Sequence, residues 1–227
     1  MDSLFPNLKL LAHMKDLGLY TKHQFLQNKN LYDSTYTTNK IIYVADGTLK
    51  AYSIDEDGGY TILFLLSKGQ TFIEDETSIK AFYNYNLESI PLETTVYIFD
   101  LKDIYKILNK RPDFHQDFYR LWIEKYNLLD KRIRIIHQKS IQTRLIQVLL
   151  EFQENYGYTC PETEDIIINS PLNQEELAGY LRSSRVSVNN IIQTLKYKLL
   201  LDYDKKRIVL KKNSFSNYIC HNYSICS

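Results

Sequence analysis

The chain has 227 residues, 44% of them hydrophobic and 24% charged, with a formal net charge of +1, the make-up of an ordinary soluble globular protein with material for one large or two small cores. No apolar run approaches the ~18 residues needed to cross a bilayer, and the opening stretch lacks the basic and long apolar segments of a signal peptide, so a cytoplasmic protein without membrane association is expected. Three cysteines at unpatterned spacing, Cys160, Cys220 and Cys226, argue against a disulfide framework and a four-cysteine cluster.

The small net charge conceals a gradient. Residues 1–105 hold 9 Lys/Arg against 14 Asp/Glu, a net of −5, whereas residues 182–212 hold 9 against 2, a net of +7. A basic region joined to an acidic remainder is the electrostatic footprint of a nucleic-acid-binding module attached to a domain with another task.

In chain order, a helix is expected near residues 3–17. Residues 41–66 then alternate short apolar runs with turns, "IIYV", "ADGT", "LKAYSI", "DEDGG", "YTILFLL", and Asp46-Gly47 and Asp57-Gly58-Gly59 read as hairpin punctuation in a β meander. More strands are expected around "NLESI" and "TTVYIFDL", which makes residues 1–105 a small antiparallel roll or barrel with no visible catalytic set. From Asp103 the period becomes helical: a short helix stops near Arg111-Pro112, and Pro112 opens a long one. In that helix Leu121, Leu128 and Ile135 repeat at seven-residue steps, with Trp122, Leu129 and Ile136 beside them. One stripe can pack on the roll and the other on a second copy of the chain; a single wide core face fits the same pattern.

A further helix starts at Ser140 and carries Leu145, Val148, Leu149 and Phe152; Tyr158–Glu164 reads as a loop and "DIIIN" as a short strand. Next comes "NQEELAGYLRSSRVSVNNIIQTLKYKLL". Asn173 followed by Glu176 is a capping box that opens one helix. Ser183 or Ser184 caps a second, whose apolar positions Val188, Ile191, Ile192, Leu195 and Leu199 share a face. The other face presents Arg185, Val186, Ser187, Asn189, Asn190, Gln193 and Lys196, most of which can hydrogen-bond to base edges or phosphates. An ordinary helical hairpin with a solvated polar face has the same appearance. The run "LLLDYDKKRIVLKKN" reads as a closing β hairpin, or wing.

This order of elements resembles the superfamily of the cAMP receptor protein and the fumarate and nitrate reduction regulator (CRP/FNR). The likeness is most specific in "LNQEELAGYLRSSRVSVNNIIQTLKYKLL", and "DETSIKAFYNYNLESI", "SKGQTF" and the Ser140-Ile141 helix start are most similar to a listerial branch of that superfamily. The resemblance implies an α+β fold in three parts: a cyclic-nucleotide-binding-like but degenerate β roll over 1–105, a short helix plus long dimerisation helix over 106–139, and a winged helix-turn-helix with a C-terminal tail over 140–227. It further implies a homodimeric transcription regulator that binds double-stranded DNA at palindromic promoter sites, with RNA polymerase as a further partner. By resemblance Arg185 reads guanine, Val186 stands in place of an acid and can touch a thymine methyl, and Asn190 replaces a second arginine. Asn173, Ser183, Ser184 and the helix amides behind the serines complete the DNA-contacting set.

Cyclic-nucleotide-binding relatives hold the cyclic phosphate with an arginine in the roll, but the first arginine of this chain is Arg111, and Glu74, Asp75 and Glu76 stand where the phosphate would sit. cAMP is therefore not expected as effector. An iron-sulfur cluster is not expected either, since no cysteine precedes Cys160. The listerial branch implies a glutathione-like peptide as an alternative ligand, for which Lys68 is the one matching residue. Five scattered histidines give neither a metal triad nor a nucleophile-base pair, so no enzyme and no metal are expected. The alternative is a β-roll ligand-binding or enzymatic domain whose basic C-terminal part docks a protein partner.

Overall fold

The computed structural model describes residues 5, 8–26, 39–54, 56, 60–74 and 85–223, in two compact units, Met1–Arg132 and Ile133–Ser227. The fold is mixed α+β. Of the sequence expectations, the Asp57-Gly58-Gly59 turn, Cys226 and the side chains of Glu74, Asp75 and Glu76 lie outside the described residues. No helix among those residues is long and apolar enough to cross a membrane.

In the first unit α1 (Lys9–Asp16) leads into a five-stranded antiparallel sheet of β1 (Thr21–Phe25), β2 (Lys40–Ile54), β3 (Tyr60–Ser67), β4 (Thr71–Glu74) and β5 (Tyr85–Asp100). The order is β1-β5-β2-β3, with β4 also paired to β2. Strand β2 is buried on both faces. Because side chains alternate along a strand, Ile41, Tyr43 and Ala45 enter one apolar cluster with α1, while Ile42 and Val44 enter another inside the roll with Leu49, Phe64 and Leu87.

Asp46-Gly47 is not the hairpin turn that its composition suggests. It is an irregularity within continuous β2, whose pairing with β5 shifts register on both sides of Asp46. Gly47 has φ +82°, and a Cβ there would lie 2.5 Å from Thr94 Oγ1 and 2.9 Å from Glu93 O. The glycine permits close backbone approach rather than chain reversal.

Helix α2 (Leu101–Lys110), a 3-10 turn at Pro112–Phe114 and the long helix α3 (His115–Ile136) follow. The inner face of α3 is bound to the roll by apolar packing and polar links together. Leu121 is buried in the first cluster, with Trp122 packed against it, and Leu128 and Leu129 pack on the second. Asp117 Oδ2 accepts from Leu10 N at 3.2 Å, Glu124 Oε2 from Thr71 Oγ1 at 2.8 Å, and Lys125 Nζ donates to Ile73 O at 2.8 Å. Arg132, 8% exposed, donates from Nε to Leu63 O at 2.8 Å, where the register between β2 and β3 shifts. Lys125 and Arg132 thus serve backbone carbonyls of the sheet.

In the second unit α4 (Ile141–Tyr156) is capped by Ser140, which accepts from Thr143 N. A second antiparallel sheet has the order β6-β7-β9-β8, from β6 (Gly157–Thr159), β7 (Ile166–Asn169), β8 (Leu201–Asp204) and β9 (Arg207–Leu210). Two expectations change here. Residues 157–159 pair with β7 instead of opening a loop, and the tail forms a helix, α7 (Lys212–Tyr223), with Phe215 and Ile219 buried. Gln142 Nε2 holds α7 by donating to the hydroxyls of Tyr218 at 2.6 Å and Tyr223 at 3.2 Å.

Gly47→Ala should destabilise the first unit by about 2 kcal/mol, because it adds both a clash and an unfavourable φ. Urea unfolding followed by the fluorescence of the single tryptophan, Trp122, measures this, since that ring packs on the first cluster.

Candidate nucleic-acid interface

Helices α5 (Gln174–Tyr180) and α6 (Arg185–Tyr197) lie in the second unit, between β7 and β8. The expected capping box is present: Asn173 Oδ1 accepts from Glu175 N and Glu176 N, both at 2.9 Å, and Glu176 Oε2 accepts from Asn173 N at 3.0 Å. Asn173 is therefore first a cap, and its amide nitrogen is the atom left to reach a phosphate. Of the two candidate caps for α6, Ser184 is the one used. Its Oγ accepts from Ser187 N at 3.1 Å and lies 2.8 Å from Ser187 Oγ.

The turn between the helices has a definite form. Arg182 N donates to Gly179 O at 2.9 Å and Ser183 N to Ala178 O at 3.0 Å, which is a Schellman motif. Arg182 sits at its left-handed position, φ +48°, usually occupied by glycine and costing other residues about 1 kcal/mol. Arg144 Nη1, from α4, donates to the next two carbonyls, Leu181 O at 2.6 Å and Arg182 O at 3.2 Å. Helix α6 ends in the same way: Leu199 N donates to Lys196 O, Leu200 N to Leu195 O, and Leu199 has φ +55°. This corrects the expected burial of Leu199, which is 75% exposed while Leu200 is buried in its stead.

The inner side of α6 buries Val188, Ile192 and Leu195. Its outer side exposes Arg185, Val186, Asn189, Asn190 and Gln193, with Ser183, Ser187 and Lys196 half-buried. Val186 is 70% exposed although it begins a helix with an apolar inner face. Tyr197, 91% exposed, continues the line of Val186, Asn190 and Gln193 along the helix. Sequence reasoning missed it, and its eleven-residue step from Val186 was the available signal. The wing between β8 and β9 turns at exposed Lys205 and half-buried Lys206, with Arg207 exposed beside them. This basic hairpin and the outer face of α6 can supply phosphate contacts and base-edge contacts respectively.

Charges elsewhere in the unit serve the fold. Asp165 accepts from Lys211 Nζ at 2.9 Å, and that hydrogen bond holds its carboxyl below the usual carboxylate range. Burial pushes the Tyr203 hydroxyl up to about 12.

The first unit has a groove of about 360 Å³ between the β3–β4 turn and α3, lined by Gly69, Gln70, Thr71, Glu124, Asn127, Leu128 and Lys131. Lys68 precedes this lining and pairs with Asp46 at 3.2 Å. No group of three His, Cys, Asp or Glu among the described residues could hold a metal ion.

Most of the residues expected at a dimer surface are engaged within the single chain. Leu121 is fully buried and Ile135 only 3% exposed in the single chain, so neither has surface to give to a second copy. Leu128 and Leu129 pack on the roll and Trp122 on the first cluster. The apolar side chains of α3 that face outward are Tyr119, Ile123, Tyr126 and Ile133, 53–67% exposed.

Residues 143–213 match the Crp-like helix-turn-helix domain. A protein of Porphyra purpurea described as an HTH-type transcriptional regulator, ycf28, is 24% identical over 196 residues, covering 84% of this chain and 79% of that one. Among solved structures, a cyclic nucleotide-binding domain containing protein from Listeria monocytogenes EGD-e superposes with TM-score 0.72 at 15% identity, over 90% of this chain and 97% of that one. A CooA mutant from Carboxydothermus hydrogenoformans gives 0.67 at 20% identity over 89% and 91%. FixK2 from Bradyrhizobium japonicum gives 0.68 at 14% over 86% and 96%. At these identities the structural likeness establishes the fold.

Ser184→Ala should destabilise the second unit by about 1 kcal/mol and Ser184→Gly by only a few tenths, the ordinary ranking of N-caps. Thermal melts followed by far-ultraviolet circular dichroism give the comparison.

Proposed function

We propose that the chain is a transcription regulator of the CRP/FNR type, not an enzyme, which binds palindromic promoter sites as a homodimer without cAMP; the Crp-like helix-turn-helix match over residues 143–213 supports the regulator part of this reading. The observation that carries this reading is the outer face of α6. An exposed valine and tyrosine flank Asn190 and Gln193, a mixture that a solvated helix does not need and a major groove can use. Valine meets a thymine methyl, asparagine and glutamine read adenine, and Arg185 reads guanine through O6 and N7. Ser183, Ser184, Ser187, Asn189 and Lys196, with the wing cations, set register on the phosphates. RNA polymerase is the further partner of such a regulator, working in the cytoplasm. The similarity of "SKGQTF" and "DETSIKAFYNYNLESI" supports a place beside the listerial positive regulatory factor A.

Homodimer formation is assigned to α3. Tyr119, Ile123, Tyr126 and Ile133 follow the alternating four- and three-residue steps of a coiled-coil seam, with Asp130 at the intervening position. Two copies joined there would set two α6 helices on half-sites roughly 34 Å apart. Ile123→Glu should yield a folded monomer by sizing and light scattering; an unchanged dimer would move the interface off this face. Leu128→Glu is a poor test, since Leu128 packs on the roll.

Two features support independence from cAMP. The strands of the roll carry no arginine. Their buried cation, Lys50, is paired with Glu88 at 3.5 Å and lies over the rings of Tyr52 and Tyr60, so it is already engaged. The groove beside Lys68 suits a different ligand. Glu124 and Lys131 place both signs of charge on its wall, with Gln70 and Asn127 between, as a zwitterionic peptide such as glutathione requires.

Duplexes selected from a random pool should be bound with an affinity that falls steeply with salt; a flat response favours a protein-docking role for the basic region. cAMP and cGMP should leave specific affinity unchanged, and a tenfold gain with cAMP, about 1.4 kcal/mol of coupling, would overturn this view of the roll. The same gain with glutathione is the result expected of the peptide ligand.

A further inference from the structure

We propose that Arg144 is the positioning residue of the DNA-binding unit: from α4 it clamps the strained turn between α5 and α6 and so fixes the angle at which α6 is presented. This rests on the DNA-binding reading above.

The Schellman turn satisfies the carbonyls of Ala178 and Gly179 by itself, but the carbonyls that follow, of Leu181 and Arg182, point out of the helix without an intrahelical donor. Arg144 Nη1 serves both, at 2.6 and 3.2 Å. A guanidinium suits this place because it is always charged and complements the negative C-terminal end of a helix. The residue is half-buried, and among the described residues its Nε is buried without a hydrogen-bond partner, as is Gln147 Oε1 one turn later. Two turns along the same face of α4, Glu151 Oε1 accepts from Tyr180 OH at 3.2 Å, so α5 is tied to α4 at two points.

The consequence follows from where the strain lies. Arg182 holds a positive φ that a non-glycine residue leaves when released. Only Ser183 separates it from Ser184, the cap of α6. Relaxation of Arg182 would rotate the start of α6, and with it Arg185 and Val186, without disturbing the buried side of the helix. Base readout would then suffer while phosphate attraction, which depends on net charge, would persist.

The test uses the full chain and five proteins: wild type, Arg144→Met, Arg144→Lys, Arg182→Gly and the Arg144→Met/Arg182→Gly double variant. Affinity for the selected duplex and for a scrambled duplex is measured at one salt concentration. Exchange of the Arg182 and Ser183 amides with deuterium is followed by NMR without DNA. Arg144→Met should lose about tenfold or more in specific affinity, ~1.4 kcal/mol, with scrambled-duplex affinity nearly unchanged. Arg144→Lys, which keeps a charge but not the fork, should fall between. Because glycine adopts the positive φ without strain, the double variant should recover most of the loss relative to Arg182→Gly alone. Both amides should exchange faster in Arg144→Met. Equal losses on the two duplexes, no recovery in the double variant, or unchanged exchange would overturn the proposal. If Arg144→Met does not fold, the Lys variant and its exchange rates decide. A wild type that binds neither duplex would instead overturn the DNA-binding reading, and amide exchange would still decide what Arg144 does to the turn.

Discussion

The constraint on which the first unit depends is that α3 must do two incompatible things on one cylinder. Toward the roll it has to bury apolar surface and also supply donors and acceptors to backbone groups that the sheet leaves open. Asp117, Leu121, Glu124, Lys125, Leu128 and Arg132 share that side, within about 100° of arc at 100° per residue, and each engages the roll or α1. Their links reach Leu10 on α1, Thr71 and Ile73 on β4 and Leu63 on β3, so α3 is bound along its length and not at one contact. What remains opposite is an exposed row of Tyr119, Ile123, Tyr126 and Ile133. An exposed apolar row on a helix already secured on its other side is the observation on which the proposed association of two copies rests.

In the second unit the same division holds at smaller scale. Val188, Ile192 and Leu195 anchor α6, and Ser184 with the two Schellman turns sets its ends. None of these is available to read sequence. The outer residues Val186, Asn190, Gln193 and Tyr197 are correspondingly unburdened by folding, so on the proposed reading substitutions there should alter recognition at little cost to stability, whereas changes at the turn should alter the aim of the helix. On that reading, readout and orientation would reside in different residues and could fail separately.

Much of this was legible in the sequence because the signals are local. The Asn173–Glu176 box, the Ser140 cap, the 3.6-residue period of α4 and α6 and the turn of the wing each depend on neighbours within four residues, and each stands where the pattern put it. The misreadings are non-local. Asp46-Gly47 carries a turn signature, but its glycine is demanded by Thr94, nearly fifty residues away on β5. Residues 157–159 look like loop because a three-residue edge strand has no period to show, and only pairing with β7 makes it one. Helix α7 has weak local propensity and owes its place to Gln142 and to buried Phe215 and Ile219. The outward row on α3 escaped because tyrosine scores as neither apolar nor polar, and because the seven-residue repeats of Leu121, Leu128 and Ile135 and of Trp122, Leu129 and Ile136 drew the reading to side chains that mostly pack inward.

The groove of the first unit connects these themes. Its wall on α3 is Glu124, Asn127, Leu128 and Lys131, which alternate along the helix with Ile123 and Tyr126 of the outward row. A molecule seated there would touch the helix one residue away from the surface assigned to a second copy. Proximity alone confers no control, since a ligand shifts an equilibrium only by its differential affinity for the two states. The groove supplies a basis for such a difference. Glu124 already accepts from Thr71, and it helps burial to hold the Tyr43 hydroxyl above its ordinary range. A bound cationic group that recruits this carboxylate would compete with its links to the sheet, while an anionic group drawn to Lys131 would not. For the ligand proposed above, charge more than size would therefore decide whether occupancy loosened α3 from the roll or left it in place.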